Sequence, residues 1–392
     1  MTTADGPLDD DNGDRLRGAS PALVRTAIRG RDPLPGTAGF AGRLANPPHV
    51  DGPALVRDVL GREPLFVERD ADRPTCPGAW SDDPTTLADP TSVPAGTVLT
   101  DDGAETRWSL PAPEPLETAR ALTAVDEAVT TTLAGLDADS LGVAFSGGVD
   151  SGLVAAAVPD APCYVAGFEG CHDVTAAREA AREMGRELRV VEITHDDLRR
   201  AIPEIVAATG RRNPMDINIA VPLFLTAESA AADGVDRLAV GQGADELFGG
   251  YSKVVDPGTD NRVDATTVRG ARTETVRTLP AQLERDVVTL RAAGVEPVAP
   301  LLDDRVIDAA LRLPGELLAT PRERKIALRR AASHLPDSVA SAEKKAVQYG
   351  TYVAREIDRL ARRNGFKRRM DDHVGRYIES LVDGTEDESR AG

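Results

Sequence analysis

Leu141-Gly142-Val143-Ala144-Phe145-Ser146-Gly147-Gly148-Val149-Asp150-Ser151 joins an apolar run to a turn built of glycine and serine. The run reads as a buried strand, and the residues from Val149 to about Val158 read as a helix. A strand that opens through glycine onto a helix makes an anion site. No Cβ holds the backbone away from the ligand, and the turn N–H groups, the Ser146 and Ser151 hydroxyls and the helix N-terminus converge on phosphate. Asp150 is the odd member, because a carboxylate beside a polyphosphate makes sense only with a divalent cation between them. The turn therefore predicts a nucleotide with Mg2+. It lacks the Lys that a Walker-type loop places on the β- and γ-phosphates.

Working outward, apolar runs at 141–145, 163–168, 188–193 and 237–241 alternate with helical patterns at about 149–158, 173–184, 195–209 and 221–233. That alternation predicts an α/β fold with a parallel, doubly wound sheet and ligands at the carboxyl ends of its strands. The last run leads into Gly241-Gln242-Gly243-Ala244-Asp245-Glu246-Leu247-Phe248-Gly249-Gly250-Tyr251. Gly241 and Gly243 again bring backbone near a ligand, and Asp245 offers a second carboxylate. Asp150 and Asp245 are expected to hold one Mg2+ against pyrophosphate. From about Arg272 onward the patterns are helical with no convincing strand, which predicts a C-terminal helical cap punctuated by Pro314, Pro321 and Pro336.

The Ser-Gly-Gly-x-Asp-Ser turn resembles the loop of the ATP pyrophosphatase superfamily (the adenine nucleotide alpha hydrolase-like type), whose members cleave ATP between the α- and β-phosphates. Together with Gly241–Tyr251 it looks like the synthetase domain of asparagine synthases and their relatives, the β-lactam synthetases included. Val298-Ala299-Pro300-Leu301-Leu302-Asp303 is similar to that family's R-V-P-F-L-D stretch, and Glu343-Lys344-Lys345-Ala346-Val347-Gln348-Tyr349-Gly350 to its late K-K segment. The resemblance runs from about Pro115 to about Ile357. It implies adenylation of an aspartate side-chain carboxylate with loss of pyrophosphate, then displacement of AMP by ammonia. Lys344 best matches the family's catalytic lysine, with Lys345 one slip away; a solvated basic pair is the bland alternative. Nucleotide contacts are implied at Ser146, Gly147, Gly148, Asp150, Ser151, Gly241, Gly243, Asp245 and Glu246. The adenine is implied to meet backbone at Val165 to Phe168, Ala166 among them.

Two departures bear on the acceptor. Aspartate-using members carry an acid between the glycines of the second loop; this chain has Gln242, and a neutral amide is no general base. Gln242 is either a catalytic-site amide or a hydrogen-bonding spacer. Asn213 to Ala220, where the family lines its amino-acid pocket, offers Asp216 and Asn218 but no cation for an α-carboxylate. The expected acceptor is aspartate or an analogue, and the nitrogen donor ammonia or another amine.

The front of the chain resembles a glutaminase domain in pieces. Leu34 to Gly42 looks like its opening strand with Pro35 where the nucleophilic cysteine belongs, Leu55 to Phe66 like its R-D-x-x-G-x-x-P-L strand, and Val93 to Leu99 like its final turn. Proline has neither thiol nor primary amine and cannot attack an amide. Thr2 as an N-terminal nucleophile is the weaker option, since residues 1–33 are polar, acidic and glycine-rich and do not read as a strand. Cys76, Cys163 and Cys171 form no C-x-x-C pair, which argues against zinc, redox and sulfur-transfer roles.

The expected layout is a flexible 1–33 segment, a degenerate β-rich glutaminase-like domain 34–112, a synthetase-like domain 116–365, and a helix with an acidic tail over 366–392. The acidic runs Asp9–Asp14 and Asp383–Arg390 read as solvated disorder, and Asp256–Asn261 as a candidate lid. Net charge is −18 with few lysines. That predicts a cytoplasmic protein adapted to high salt, with no nucleic-acid partner and no membrane segment. A homodimer is compatible with these features. The alternatives to an amide-forming enzyme are a nucleotide-binding regulatory protein that has lost turnover and a tRNA-modifying adenylating enzyme, for which no basic face is evident.

Overall fold

The structure, a computed structural model, describes residues 8–9, 13–260, 262–343 and 346–384. These divide into two compact units. The first comprises Met1–Asp137, Gly241–Glu284 and Ala299–His334, and the second Ala138–Val240, Arg285–Val298 and Leu335–Gly392.

The second unit is built on a five-stranded sheet in which every pairing is parallel. In chain order its elements are β1 (Leu141–Ala144), α1 (Val149–Ala157), β2 (Cys163–Gly167), α2 (His172–Met184), β3 (Leu188–Glu192), α3 (His195–Thr209), α4 (Pro214–Ala232), β4 (Arg237–Ala239) and β5 (Glu296–Val298). The spatial order is β3-β2-β1-β4-β5. It reverses between β1 and β4, the place where open α/β sheets leave a crevice at their carboxyl ends. The inner strands read as continuous apolar runs because helices cover both faces, and all five residues of β2 are buried.

Two expectations for this unit need correction. A strand does exist beyond Arg272: β5 pairs Glu296, Pro297 and Val298 with Arg237, Leu238 and Ala239 of β4. Proline is tolerated there because β5 is an edge strand. The helix expected at 221–233 also begins seven residues earlier, where Pro214 occupies the first turn and the Asn213 side chain caps the Asp216 N–H.

The first unit carries a six-stranded antiparallel sheet, in the order Leu8–Asp9, Arg15–Arg17, Ala41–Leu44, Ala54–Arg57, Thr97–Thr100 and Gly103–Thr106, and a three-stranded sheet of Trp80–Ser81, Phe66–Glu68 and Pro90–Ser92. The expectation of a flexible front fails within its described part. Arg15–Arg17 pairs with Ala41–Arg43, and Pro21–Gly30 is a helix capped by Ser20 that buries Val24, Ala27 and Ile28. Asp14, expected to be solvated, is fully buried and accepts from Ala45 N at 2.8 Å and Arg25 Nη2 at 2.9 Å. Thr2 and Asp10 to Asn12 lie outside the described residues, as do Asn261 of the candidate lid and Thr385 to Arg390 of the tail. The expected strand Leu34–Gly42 is mostly loop, its strand starting only at Ala41.

The R-D-x-x-G-x-x-P-L residues do structural work. Arg57, buried, donates to the carbonyls of Gly61 (3.0 Å), Glu63 (2.9 Å) and Val93 (2.7 Å). Arg62 bridges Asp58 at 2.9 Å and Asp304 at 2.8 Å, while Asp304 also accepts from the Gly36 and Thr37 N–H groups. Those charges lie out of water, so each needs its partner.

Candidate active site

In the second unit the Ser146–Ser151 turn leaves β1 and leads into α1, the strand-turn-helix order the sequence implies. Gly147 has φ 75, in the left-handed region, and a Cβ there would stand 2.7 Å from the backbone carbonyl carbon of Ala176 on α2. Both facts require glycine at this position. Gly148, the N-cap of α1, has ordinary backbone angles and supplies no side-chain cap, which leaves the first N–H groups of α1 for an anion. The two serines brace the turn: Ser151 Oγ accepts from Ser146 N at 3.2 Å and lies 3.3 Å from Ser146 Oγ. Asp150 sits in the first turn of α1 with Oδ1 buried. Ala166 is buried within β2, so only its backbone can face a ligand.

The second glycine motif belongs to the first unit. Gly243, with φ 83, caps the short helix Ala244–Phe248, and its absent side chain leaves room for Leu302. Gln242 precedes it, half-buried, and Gly241 is half-buried too. Asp245 is 46% exposed on its side chain, and its Oδ1 lies 2.8 Å from Lys325 Nζ. A Cβ at Gly250 would overlap that same Oδ1, so glycine is needed for the carboxylate to fold back. Arg324 Nη1 donates to Gly250 O at 2.7 Å, completing a clamp on the turn. Glu246 is buried and accepts from Tyr251 OH at 2.6 Å. Burial, with the neighbouring Asp245 charge, outweighs that hydrogen bond and pushes the Glu246 carboxyl up to about 7.

Lys325 was not selected from sequence. Its backbone is left-handed (φ 57) and its side chain is 10% exposed, yet a single lysine in Arg322-Glu323-Arg324-Lys325 carries no motif. Only the tertiary contact with Asp245 identifies it. Lys344 and Lys345 lie outside the described residues.

At the first turn of α4, Asp216 gathers cations that the sequence did not suggest. It accepts from Arg285 Nη1 at 2.8 Å, Arg211 Nη1 at 3.1 Å and Asn213 Nδ2 at 2.6 Å. Burial opposes its charge, but the donors from Asn213, Arg285 and Arg211 prevail and hold its carboxyl below the usual range. Arg285 also donates to Asp286 at 2.7 Å.

The structure thus brings Ser146, Gly147, Gly148, Asp150, Ser151 and Ala166 into one unit, and Gly241, Gln242, Gly243, Asp245 and Glu246 into the other. Among the described residues no three His, Cys, Asp or Glu side chains form a metal cage. Mg2+ held by one or two carboxylates and substrate phosphates needs none, and Asp150 and Asp245, each on a glycine turn, are donors of the right chemistry.

A sequence model of the asparagine synthase family matches residues 121–268 and 265–380. The chain belongs to the asparagine synthase family. Similar proteins include a putative glutamine-hydrolysing asparagine synthetase of Methanocaldococcus jannaschii, 29% identical over 281 residues, which are 62% of this chain and 52% of that protein. Asparagine synthetase B of Escherichia coli is 26% identical over 229 residues, 52% of this chain and 40% of its own. An Arabidopsis thaliana asparagine synthetase is 28% identical over 193 residues, 45% and 32% of the two chains. The chain spans about half, or less, of the length of these relatives. No helix among its described residues is long and apolar enough to cross a membrane. Within the asparagine synthase match fall every residue expected to contact nucleotide and the Asp216 cluster.

Proposed function

We infer that the chain is an ATP-dependent carbon–nitrogen ligase of the asparagine synthase type. It adenylates a carboxylate and passes the acyl group to ammonia or another amine. The observation that carries this is the phosphate turn, with a left-handed Gly147 seated on the α2 backbone and paired serines at an α1 N-terminus that has no side-chain cap. Family membership supplies the reaction class.

In the first step a carboxylate oxygen of the acceptor attacks the α-phosphorus. The bond from that phosphorus to the bridging oxygen breaks, and pyrophosphate leaves with the electron pair. In the second step the nitrogen attacks the acyl carbon, AMP leaves with the C–O pair, and the nitrogen sheds a proton to solvent. Ser146, Gly147, Gly148 and Ser151 bind phosphate, backbone at Ala166 meets adenine, and Gly241 and Gly243 let backbone approach the nucleotide. Asp150 and Asp245 are the carboxylates that would hold Mg2+, and the cation would offset charge on the departing pyrophosphate. Lys325 fixes the rotamer of Asp245, Glu246 supports the turn through Tyr251, and Lys344 or Lys345 supplies a cation to the phosphates. Gln242 orients groups by hydrogen bonding and accepts no proton.

Residues 34–112 form a glutaminase-like remnant without a nucleophile, and 116–365 the synthetase domain. Incubation with ATP, Mg2+, ammonium and aspartate or other carboxylates, with assay of pyrophosphate, AMP and amide, tests the reading. Absence of AMP with every acid tried defeats it. Gln242 and Pro35 favour a second reading, a nucleotide-binding regulatory protein without turnover. Tight ATP binding with no pyrophosphate release would select it.

A further inference from the structure

We propose that Arg62 is a positioning residue for the second glycine loop: acting through Leu302, it fixes where Gly243 and the Asp245 carboxylate stand. This rests on the ligase function inferred above, in which that loop meets the nucleotide. Arg62 itself precedes residue 121, where the asparagine synthase match begins.

All the residues concerned belong to the first unit. Arg62 is buried, and its planar guanidinium is used on two edges. Nε donates to Asp58 Oδ1 at 2.9 Å, while Nη1 donates to Asp304 Oδ1 and to Leu302 O, both at 2.8 Å. The Leu34–Gly42 stretch closes around the same place. A Cβ at Gly39 would stand 2.6 Å from the Arg62 Cβ, so the two segments meet only because position 39 is glycine. Gly36 N and Thr37 N donate to Asp304 Oδ2 at 2.9 and 2.8 Å, and Asp304 N donates back to Thr37 O at 2.9 Å. Residues 302 and 304 are thus held from the front of the chain by backbone groups as well as by a side chain.

The same segment bears on the glycine loop. Leu302 is buried, and its Cδ2 lies 2.2 Å from where a Cβ of Gly243 would be, which seats the leucine directly on the Gly243 backbone. Gly243 is the N-cap of Ala244–Phe248, and its carbonyl accepts the Leu247 N–H at 2.9 Å. Asp245 stands two residues on, in the first turn of that helix. A helix of five residues has little stability of its own, so what it packs against decides where it sits. A shift of the Leu302 carbonyl carries the leucine side chain with it, and Gly243 has no side chain to take up the gap.

Charge alone does not achieve this. A lysine at position 62 would keep a positive charge between the two acids. Its single ammonium lacks the flat fork that reaches Asp58 on one edge and Leu302 O with Asp304 on the other.

The test measures ATP affinity by calorimetry across Mg2+ concentrations, and amide hydrogen exchange over residues 241–251 in the nucleotide-free full chain. Arg62→Lys removes the fork, and Leu302→Ala removes the contact while leaving the buried ion pairs in place. Leu55→Ala, in the core of the front sheet with Ala41, Leu65 and Val93, is the control for lost stability, and the melting temperature is recorded for each variant. Arg62→Lys and Leu302→Ala should each raise the Mg2+ concentration for half-maximal ATP binding about threefold or more and speed exchange at 244–250 about tenfold. Leu55→Ala should lower the melting temperature and change neither. If Arg62→Lys does not fold, Leu302→Ala decides the matter by itself. Unaltered Mg2+ dependence and exchange in Leu302→Ala, or equal changes in Leu55→Ala, overturn the proposal and leave the ligase reading standing. If the unaltered chain binds no ATP at any Mg2+ concentration, the ligase function fails, and the proposal with it.

Discussion

Gly147 and Gly250 give up their side chains for different reasons. Gly147 needs a left-handed backbone and close approach to α2, whereas Gly250 makes room for the Asp245 carboxylate beside Lys325. A Cβ at position 147 costs about 1–2 kcal/mol in backbone strain before any clash is counted, and it would displace the turn from Ala176. Gly147→Ala should weaken Mg·ATP binding about tenfold or more by calorimetry; an unchanged affinity would remove the phosphate role from this turn. Lys325→Met releases the Asp245 carboxylate from its 2.8 Å partner. The Mg2+ concentration for half-maximal ATP binding should then rise several-fold, and Lys325→Arg should restore part of the loss. No shift in Mg2+ dependence would show that Lys325 only packs the turn.

At the scale of elements, what could be read from sequence depended on how each element is buried. The inner strands β1 and β2 announce themselves as apolar runs because both faces are covered. β5 does not, since Glu296-Pro297-Val298 is a three-residue edge strand whose partner is found only in three dimensions. The start of α4 hid behind Pro214 and polar residues, and with it the ion cluster that Arg285 completes from 69 residues away. Among candidate site residues, glycine and serine at fixed spacing form a pattern readable in sequence; the contacts of Lys325 with Asp245 and of Arg285 with Asp216 are long-range and have no local pattern. The Asp216 cluster gives a stability prediction. Asp216→Ala leaves Arg285, 5% exposed on its side chain, without one of its two carboxylates, a change expected to cost about 3 kcal/mol in denaturant unfolding. The sign with pH follows from the lowered carboxyl. The contribution of Asp216 is fully present above its unfolded value near 3.8 and is lost as pH falls through its lower folded value. The unaltered chain should therefore lose more stability than Asp216→Ala as pH drops below about 4, and parallel losses would exclude this carboxylate as a stabilising group.

For the whole molecule, the first unit and the net charge pose separate questions. If Pro35 stands where a glutaminase keeps its nucleophile, glutamine should yield no glutamate while ammonium supports amide formation; glutamate release at the rate of pyrophosphate release would overturn that assignment. The charge of −18 acts on stability through self-repulsion, which falls as salt shortens the screening length from about 10 Å at 0.1 M to about 3 Å at 1 M. Exposed pairs such as Arg69–Asp89 weaken under the same screening, but solvent already screens them and each contributes little. Buried pairs such as Arg62 with Asp58 and Asp304 are screened far less because solvent ions do not reach them. The long-range repulsion is thus the component that salt removes most completely, and the melting temperature should climb between 0.1 and 2 M KCl. If it stays flat or falls, the exposed ion pairs outweigh the net charge, and the acidic surface carries no adaptation to salt.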